Sequence, residues 1–413
     1  MATTPPDDIE ATPGTEDTRV VFGLPRPVWL LGLTSLFTDT ASEAIYPLLP
    51  LYLTRVLGAG AASLGLIEGF AEAANSLLKI VSGYLSDRWQ TRRPIVIAGY
   101  SLSSAVRPLI ALVSSWPQLF VVRFMDRVGK GVRGAPRDAL LAACATPSTR
   151  GRIFGFHRAM DHVGAVAGPL LASLFLWVYP GRYRWLFALT IIPGALAVAM
   201  LFKVPKDQAS DTATSSPGVR PTLVPPGWRG LPRSYFTLLA VLLVFALGNS
   251  ADSFLLLRLT DEGVRPVFIP LLWALLHVVK ALMSVWGGVK SDRWGRRFVI
   301  GSGWIVYALV YAGFAASNSV ATLVTWFLVY GLYYGLSEGT EKALIADLAP
   351  ADLRGTAFGI YNAALGIGSL LASVAFGLVW KMVSPTAAFG VGAVLAILAT
   401  FMLFAFIREP RTV

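Results

Sequence analysis

"GYLSDRW", Gly83–Trp89, returns as "GVKSDRW", Gly288–Trp294, 205 residues later. At an offset of 204, Gly131, Ala139, Leu140, Arg150, Gly151 and Phe154 meet Gly335, Ala343, Leu344, Arg354, Gly355 and Phe358. The correspondence runs on through Gly155, Ala159 and Gly164 to Gly359, Ala363 and Gly368. One spacing holding over so long a stretch marks an internal duplication, so the chain reads as two copies of one unit.

Composition says what the unit is. Of 413 residues, 55% are hydrophobic and 14% charged, and mean hydropathy is +0.61. A soluble chain carries about 25% charged residues. Apolar runs of about 20 residues match a bilayer core of about 30 Å at about 1.5 Å per helical residue. Twelve such runs are read, at 28–53, 62–84, 94–114, 118–144, 152–178 and 184–203, then 235–258, 267–289, 298–316, 319–347, 355–380 and 386–407. The expected fold is an all-α membrane protein, with twelve transmembrane helices in two homologous six-helix bundles. Residues 1–27, rich in Pro, Thr and acid, read as a cytoplasmic tail without a signal peptide. Residues 28–203 form the first bundle, 204–234 a Pro- and Ser-rich cytoplasmic linker, and 235–413 the second bundle.

The formal charge of +11 follows from membrane sidedness and requires no nucleic acid. Ten Lys and Arg fall in the short loops on one side and six on the other, which places both termini in the cytoplasm of a plasma-membrane protein. One cysteine, Cys144, excludes a disulfide scaffold, and three histidines leave little for an imidazole metal site. No cofactor or resident metal is expected, and the chain is read as a monomer in the lipid bilayer. No Gly-x-Ser-x-Gly or His-Glu-x-x-His occurs, so it is not read as an enzyme.

"GYLSDRWQTRR" and "GGVKSDRWGRR" resemble the signature between helices 2–3 and 8–9 of the major facilitator superfamily. The first copy departs from it at Gln90, where Gly is usual. Arg123 in "RFMDRVGKG" is similar to that family's helix-4 arginine. "GAVAGP", Gly164–Pro169, resembles the helix-5 Gly-x-x-x-Gly-Pro motif of its proton-coupled efflux branch. The resemblance covers the whole chain and implies alternating access by two rocking halves. It implies gating roles for Asp87, Arg88, Asp292 and Arg293, and for Gly164, Gly168 and Pro169 at a leak-tight seam between halves.

The fourth span carries the densest charge, "RFMDRVGKGVRGAPRD", Arg123–Asp138. At about 100° per residue its charges fall within an arc of about 140°. Such a stripe cannot face lipid, where each central charge costs about 2.5–3.5 kcal/mol. The expectation is a wet chamber, or else a salt-bridge web cementing the first half, with Asp39 and Glu43 of span 1, Glu68, Glu72 and Lys79 of span 2, and Arg158 and Asp161 of span 5 as partners. Substrate-binding candidates are Asp39, Glu43, Tyr46, Arg127, Lys130, Arg133, Arg158, Asn249, Asp252 and Tyr334. Proton-coupling candidates are Asp39 and Glu43, then Glu338 and Glu341, because the charge state of a buried carboxylate depends on its partners.

The function expected is a secondary active transporter, a proton-coupled antiporter that exports a small anionic or chelate-type solute. A drug efflux pump is one alternative. Another is a divalent-cation exporter, similar to ferroportin-like carriers, with Asp39, Glu43, Asn249 and Asp252 as oxygen ligands. A non-transporting membrane sensor is the alternative from another class.

Overall fold

The computed structural model describes residues 20–21, 24–89, 92–144, 150–205, 230–350 and 353–407. Its first half comprises α1 (Arg26–Ile45, carried on to residue 56 by tighter and wider turns), α2 (Ala61–Trp89), α3 (Arg93–Val106, extended to Leu112), α4 (Trp116–Ala143), α5 (Arg150–Val178) and α6 (Tyr183–Leu189 with Ile191–Phe202). The second comprises α7 (Arg233–Gly248 with Ser253–Asp261), α8 (Phe268–Trp294), α9 (Arg296–Ala316), α10 (Val320–Leu348), α11 (Arg354–Met382) and α12 (Pro385–Phe406). Among the described residues the regular structure is all helical apart from a short Val20–Val21 pairing with Leu24–Pro25. These helices overlap all twelve apolar runs. The expected tail and linker lie almost wholly outside the described residues.

Local sequence accounts for the helix ends. Proline opens α1, α3 and α12, where its missing N–H is no loss. At α12 the Ser384 hydroxyl also accepts from the Ala387 N–H at 3.0 Å. Both Ser-Asp-Arg-Trp motifs, expected in loops, form the last turns of α2 and α8. Gly295 follows at φ 89°, left-handed backbone that favours glycine and lets α9 start at once. Its counterpart Gln90 lies outside the described residues.

The duplication reappears as packing. In the first half α1 packs on α5 and α6, α2 on α4, and α3 on α4 and α6. In the second, α7 packs on α11 and α12, α8 on α10, and α9 on α10 and α12. Between halves the related pairs are α2 with α11 and α5 with α8.

The two halves hold together by different means. The second is aromatic: Phe245 stacks on Trp304 at 4.4 Å, and Tyr307 on Tyr311 at 4.1 Å. The first is ionic. Arg123 of α4 reaches Glu68 of α2 at 3.2 Å and Asp126 at 3.5 Å. Asp126 in turn holds Arg107 of α3 at 2.9 Å, and Arg107 donates to the Thr38 carbonyl of α1 at 3.3 Å. All four charged residues are no more than 6% exposed. The stripe divides between the two expectations: Arg123 and Asp126 belong to a dry, paired core, because α2 and α3 cover that edge of α4. Arg133 joins them. It donates to Ser103 at 2.9 Å and lies 4.2 Å over the Tyr100 ring, 4% exposed.

The seam between halves brings backbones into close approach at glycines. A Cβ added to Gly65 would collide with the Ser373 carbonyl oxygen, and one at Gly377 would come 2.5 Å from the Ala61 carbonyl. Gly366 lies against Ser76 near the middle of both helices. Arg55 donates to the Thr260 carbonyl at 2.9 Å and Ser173 to the Val267 carbonyl at 2.5 Å. These contacts run from the end remote from the chain termini to mid-depth. On the terminal side, Asp138, Glu338 and Lys342 are about half exposed, with side chains 53%, 54% and 44% accessible.

Two outcomes follow. Truncation of Arg123 to Ala strands Glu68 in a dry core and should cost about 3–5 kcal/mol, read as a large fall in melting temperature of the detergent-purified protein. An unchanged melting temperature would contradict the ion chain. Gly65→Ala should disfavour this remote-closed state by about 1–3 kcal/mol. In a Cys144→Ser, Thr260→Cys background, labelling by a membrane-impermeant maleimide should then rise; equal labelling with and without Gly65→Ala would argue against the seam.

Candidate functional site

The candidate chamber is the mid-depth region where side chains of α1 and α4 meet those of α7, α8 and α10. On α4, Arg127 and Lys130 sit on the edge left open by the ion chain and are half-buried. Among the described residues neither has a hydrogen-bond or ion-pair partner. Asp39, Glu43 and Glu72 lie within electrostatic reach of Lys130 without closing on it. The structure therefore brings Asp39, Glu43, Arg127 and Lys130 together, as expected, in a loosely matched group of mixed charge.

Aromatic side chains tie this group to the second half. Trp273 of α8 donates its indole N–H to Glu43 at 2.8 Å and packs on Tyr46 at 5.0 Å between centroids. The Tyr46 hydroxyl lies 3.2 Å from Ser253 of α7, and Arg123 sits 5.1 Å over its ring.

Opposite, α7 is broken. Its helix stops at Gly248, Asn249 takes φ −97° and ψ 86°, and helix resumes at Ser253. Backbone can leave the helix at membrane depth only where other groups satisfy it. Tyr307 donates to the Gly248 carbonyl at 2.8 Å, and the Ala251 N–H reaches the Ser373 hydroxyl at 3.3 Å. The break presents Asp252, which accepts from Tyr330 at 2.8 Å and Tyr334 at 2.9 Å. Lys280 of α8 pairs with it at 3.2 Å and lies 3.5 Å from the Tyr334 ring centre. Asn249 donates to the Tyr333 hydroxyl at 3.0 Å. Asp252 and Tyr334 thus meet as expected, whereas Asn249 turns aside.

Other expected site residues lie elsewhere. Arg133 is committed to α3, as described above, and is turned from the chamber. Arg158 is exposed, 3.8 Å from Asp161, with Glu338 in electrostatic reach across the opening. Asp161 also accepts from Ser35 and lies 3.6 Å from His157. Glu338 pairs with Lys342 at 3.1 Å. Glu341 is buried behind α10, toward α9 and α11. Gly164 and Gly168 are not at the seam between halves: they press on the Leu36 and Thr40 carbonyls of α1, inside the first half. Pro169 follows on the same buried face. The side chains of Asp87, Arg88 and Asp292 lie outside the described residues, and Arg293 is exposed. The four oxygen ligands expected of a cation exporter do not converge: Glu43 goes to Trp273, Asn249 to Tyr333 and Asp252 to Lys280. Among the described residues no three acidic, imidazole or thiol groups gather for a metal.

Sequence reading missed the α7 break and the roles of Trp273, Tyr330 and Ser373. "LGNSADS" held a signal for the break, since Gly, Asn, Ser and Asp together are turn residues. Nothing local marked Trp273 among twelve tryptophans.

The family model of the Major Facilitator Superfamily matches residues 31–279 and 263–413. An uncharacterized MFS-type transporter of Methanocaldococcus jannaschii is 34% identical over 386 residues, covering 92% of this chain and 94% of that one. The cis,cis-muconate transport protein of Acinetobacter baylyi is 26% identical over 324 residues, 75% of this chain and 76% of that one. A peptide transporter POT solved in complex with sulfate shares the fold, with a TM-score of 0.76 at 15% identity over 94% of this chain and 96% of that chain. With duplication, packing and relatives in agreement, the chain belongs to the Major Facilitator Superfamily and is a multi-pass membrane transporter.

Proposed function

We propose that this transporter is a proton-coupled exporter of a small organic anion, working by alternating access. The observation that carries the substrate class is the pair Arg127 and Lys130, cations at mid-depth with no hydrogen-bond or ion-pair partner among the described residues. Two such charges in a poorly hydrated chamber are costly, and an anionic cargo supplies what they lack through charge-assisted hydrogen bonds. Lys280, held by Asp252 over the Tyr334 ring, adds a cation from the other half. Tyr46, Trp273 and Tyr334 offer flat apolar faces to the body of the cargo. In the empty chamber Asp39 and Glu43 balance the α4 cations at a distance and give way when the anion arrives. The transport of cis,cis-muconate by a relative fits this reading.

Alternating access follows from the seam. The halves meet at close glycine contacts at the remote end, so they can separate there without breaking an ion pair of the core, and close on the terminal side. With the termini in the cytoplasm, as the basic loops indicate, the chamber described here loads from inside. Exchange of an outgoing anion for an incoming proton runs down an inside-negative potential on both counts, worth about 2.3 kcal/mol per charge per 100 mV. Packing of Gly164 and Gly168 within the first half leaves export resting on this energetic argument and on the resemblance of the motif.

In proteoliposomes, counterflow of labelled cis,cis-muconate should saturate, and Lys130→Ala or Arg127→Ala should each raise the half-saturating concentration about tenfold or more, the loss of one charge-assisted contact of about 1.5–3 kcal/mol. Variants indistinguishable from the parent, or preferential transport of an organic cation, would sink the anion reading. Efflux of preloaded muconate should quicken when the outer buffer is acidified and when the loading side is made negative. Indifference to both would remove the proton coupling.

A further inference from the structure

Among the buried carboxylates, Glu68 and Asp126 have arginines and Asp252 has Lys280. Among the described residues, Glu341 of α10 has no cation paired to it. It is 8% exposed, and its two oxygens accept from the Trp304 indole of α9 at 3.0 Å and the Tyr361 hydroxyl of α11 at 3.4 Å. Lys342, next in sequence, is turned to Glu338. Among the described residues, the titratable or charged groups around Glu341 are Tyr361 of α11 and Tyr333, Glu338 and Lys342 of α10 itself. From α9 comes only the indole, backed by Phe245 of α7. Two neutral donors do not replace the solvation an ionised carboxylate loses on burial.

The duplication sharpens the point. At the offset of 204 residues, Glu341 answers to Arg137, Trp304 to Tyr100 and Tyr361 to His157. The same niche, with an aromatic group from the third helix of its half, holds a permanent cation paired to Asp138 in one copy. In the other it holds a lone acid that can be charged or neutral.

We infer that Glu341 is the residue that binds the transported proton, reached from the chamber through Glu338. This rests on the proton coupling proposed above and names its site. Glu338 stands one turn earlier on α10, half exposed where the chamber opens. It can take a proton from water there and hand it inward. Protonation turns the Glu341 carboxylate into a neutral acid, and deprotonation restores an acceptor that draws Trp304 and Tyr361 together. Since α10 also carries Tyr330 and Tyr334, which grip Asp252 of α7, a shift of α10 against α9 and α11 reaches the cargo chamber. Asp39, in the mixed group around Lys130, then serves the anion.

The test is infrared difference spectroscopy of the full-length protein in liposomes during a pH titration, together with labelled muconate flux. The parent should show the carbonyl band of a buried neutral carboxylic acid. Glu341→Gln should abolish it, Asp39→Asn should leave it, and Trp304→Phe should keep it at a shifted frequency because one donor is gone. Glu341→Gln should also lose acceleration of flux by a pH gradient. A band that survives Glu341→Gln or vanishes in Asp39→Asn overturns the assignment, as does gradient-driven flux retained by Glu341→Gln. Should Glu341→Gln fold poorly, Glu341→Asp serves: a displaced band supports the assignment, an unmoved one refutes it. A parent whose flux ignores the gradient overturns the proton-coupled reading itself, a failure distinct from a surviving band.

Discussion

Charge in a medium that cannot solvate it is the constraint around which this molecule is built. The first half carries its charge inside and neutralises it by a relay from Glu68 through Arg123 and Asp126 to Arg107, spanning three helices and touching a fourth at Thr38. A relay of this kind is a specific fastener more than a strong one, because desolvation consumes most of the attraction. It fixes which faces of α2, α3 and α4 meet. What it leaves over, Arg127 and Lys130, stays at mid-depth with acids in electrostatic reach but, among the described residues, no hydrogen-bond or ion-pair partner.

The second half solves the same packing problem with rings. Tyr307, Tyr311, Tyr330, Tyr333 and Tyr334 contact one another in succession, with centroid separations of 4.1 to 6.4 Å. Their hydroxyls support the interrupted backbone of α7 and the carboxylate of Asp252. Two copies of one ancestral unit have thus diverged in chemistry while keeping the same helix contacts. One supplies fixed positive charge, the other a hydrogen-bonded frame that can rearrange. A carrier that must both grip and let go has use for each.

Much of this was readable in the sequence. The twelve runs and the offset joining "GYLSDRW" to "GVKSDRW" foretold the fold, because hydrophobic length and duplication are properties of the chain alone. The gathering of Asp39, Glu43, Arg127 and Lys130, and of Asp252 with Tyr334, was expected from the charge pattern along the spans taken together with the family resemblance. The division of the α4 stripe was not. A helical wheel gives direction but not neighbour, and whether Arg133 meets water or Tyr100 depends on where α3 docks. Gly164 and Gly168 show the same limit: small residues four apart announce a close approach without saying to which helix. The interruption of α7 was written in turn-forming residues, but they were embedded in an apolar run whose length argued for continuity.

The interruption also says something about motion. Its exposed carbonyl and amide are satisfied by Tyr307 and Ser373, side chains on two different helices, and its Ser250 hydroxyl meets Tyr311 at 3.0 Å. Side-chain hydroxyls swivel, whereas a backbone ladder cannot. The break at Asn249 is thus held by swivelling hydroxyls where the rest of α7 is held by its backbone ladder, so a bend there would break no helical hydrogen bond. That makes the kink a lubricated joint, and a tyrosine hydroxyl is the lubricant.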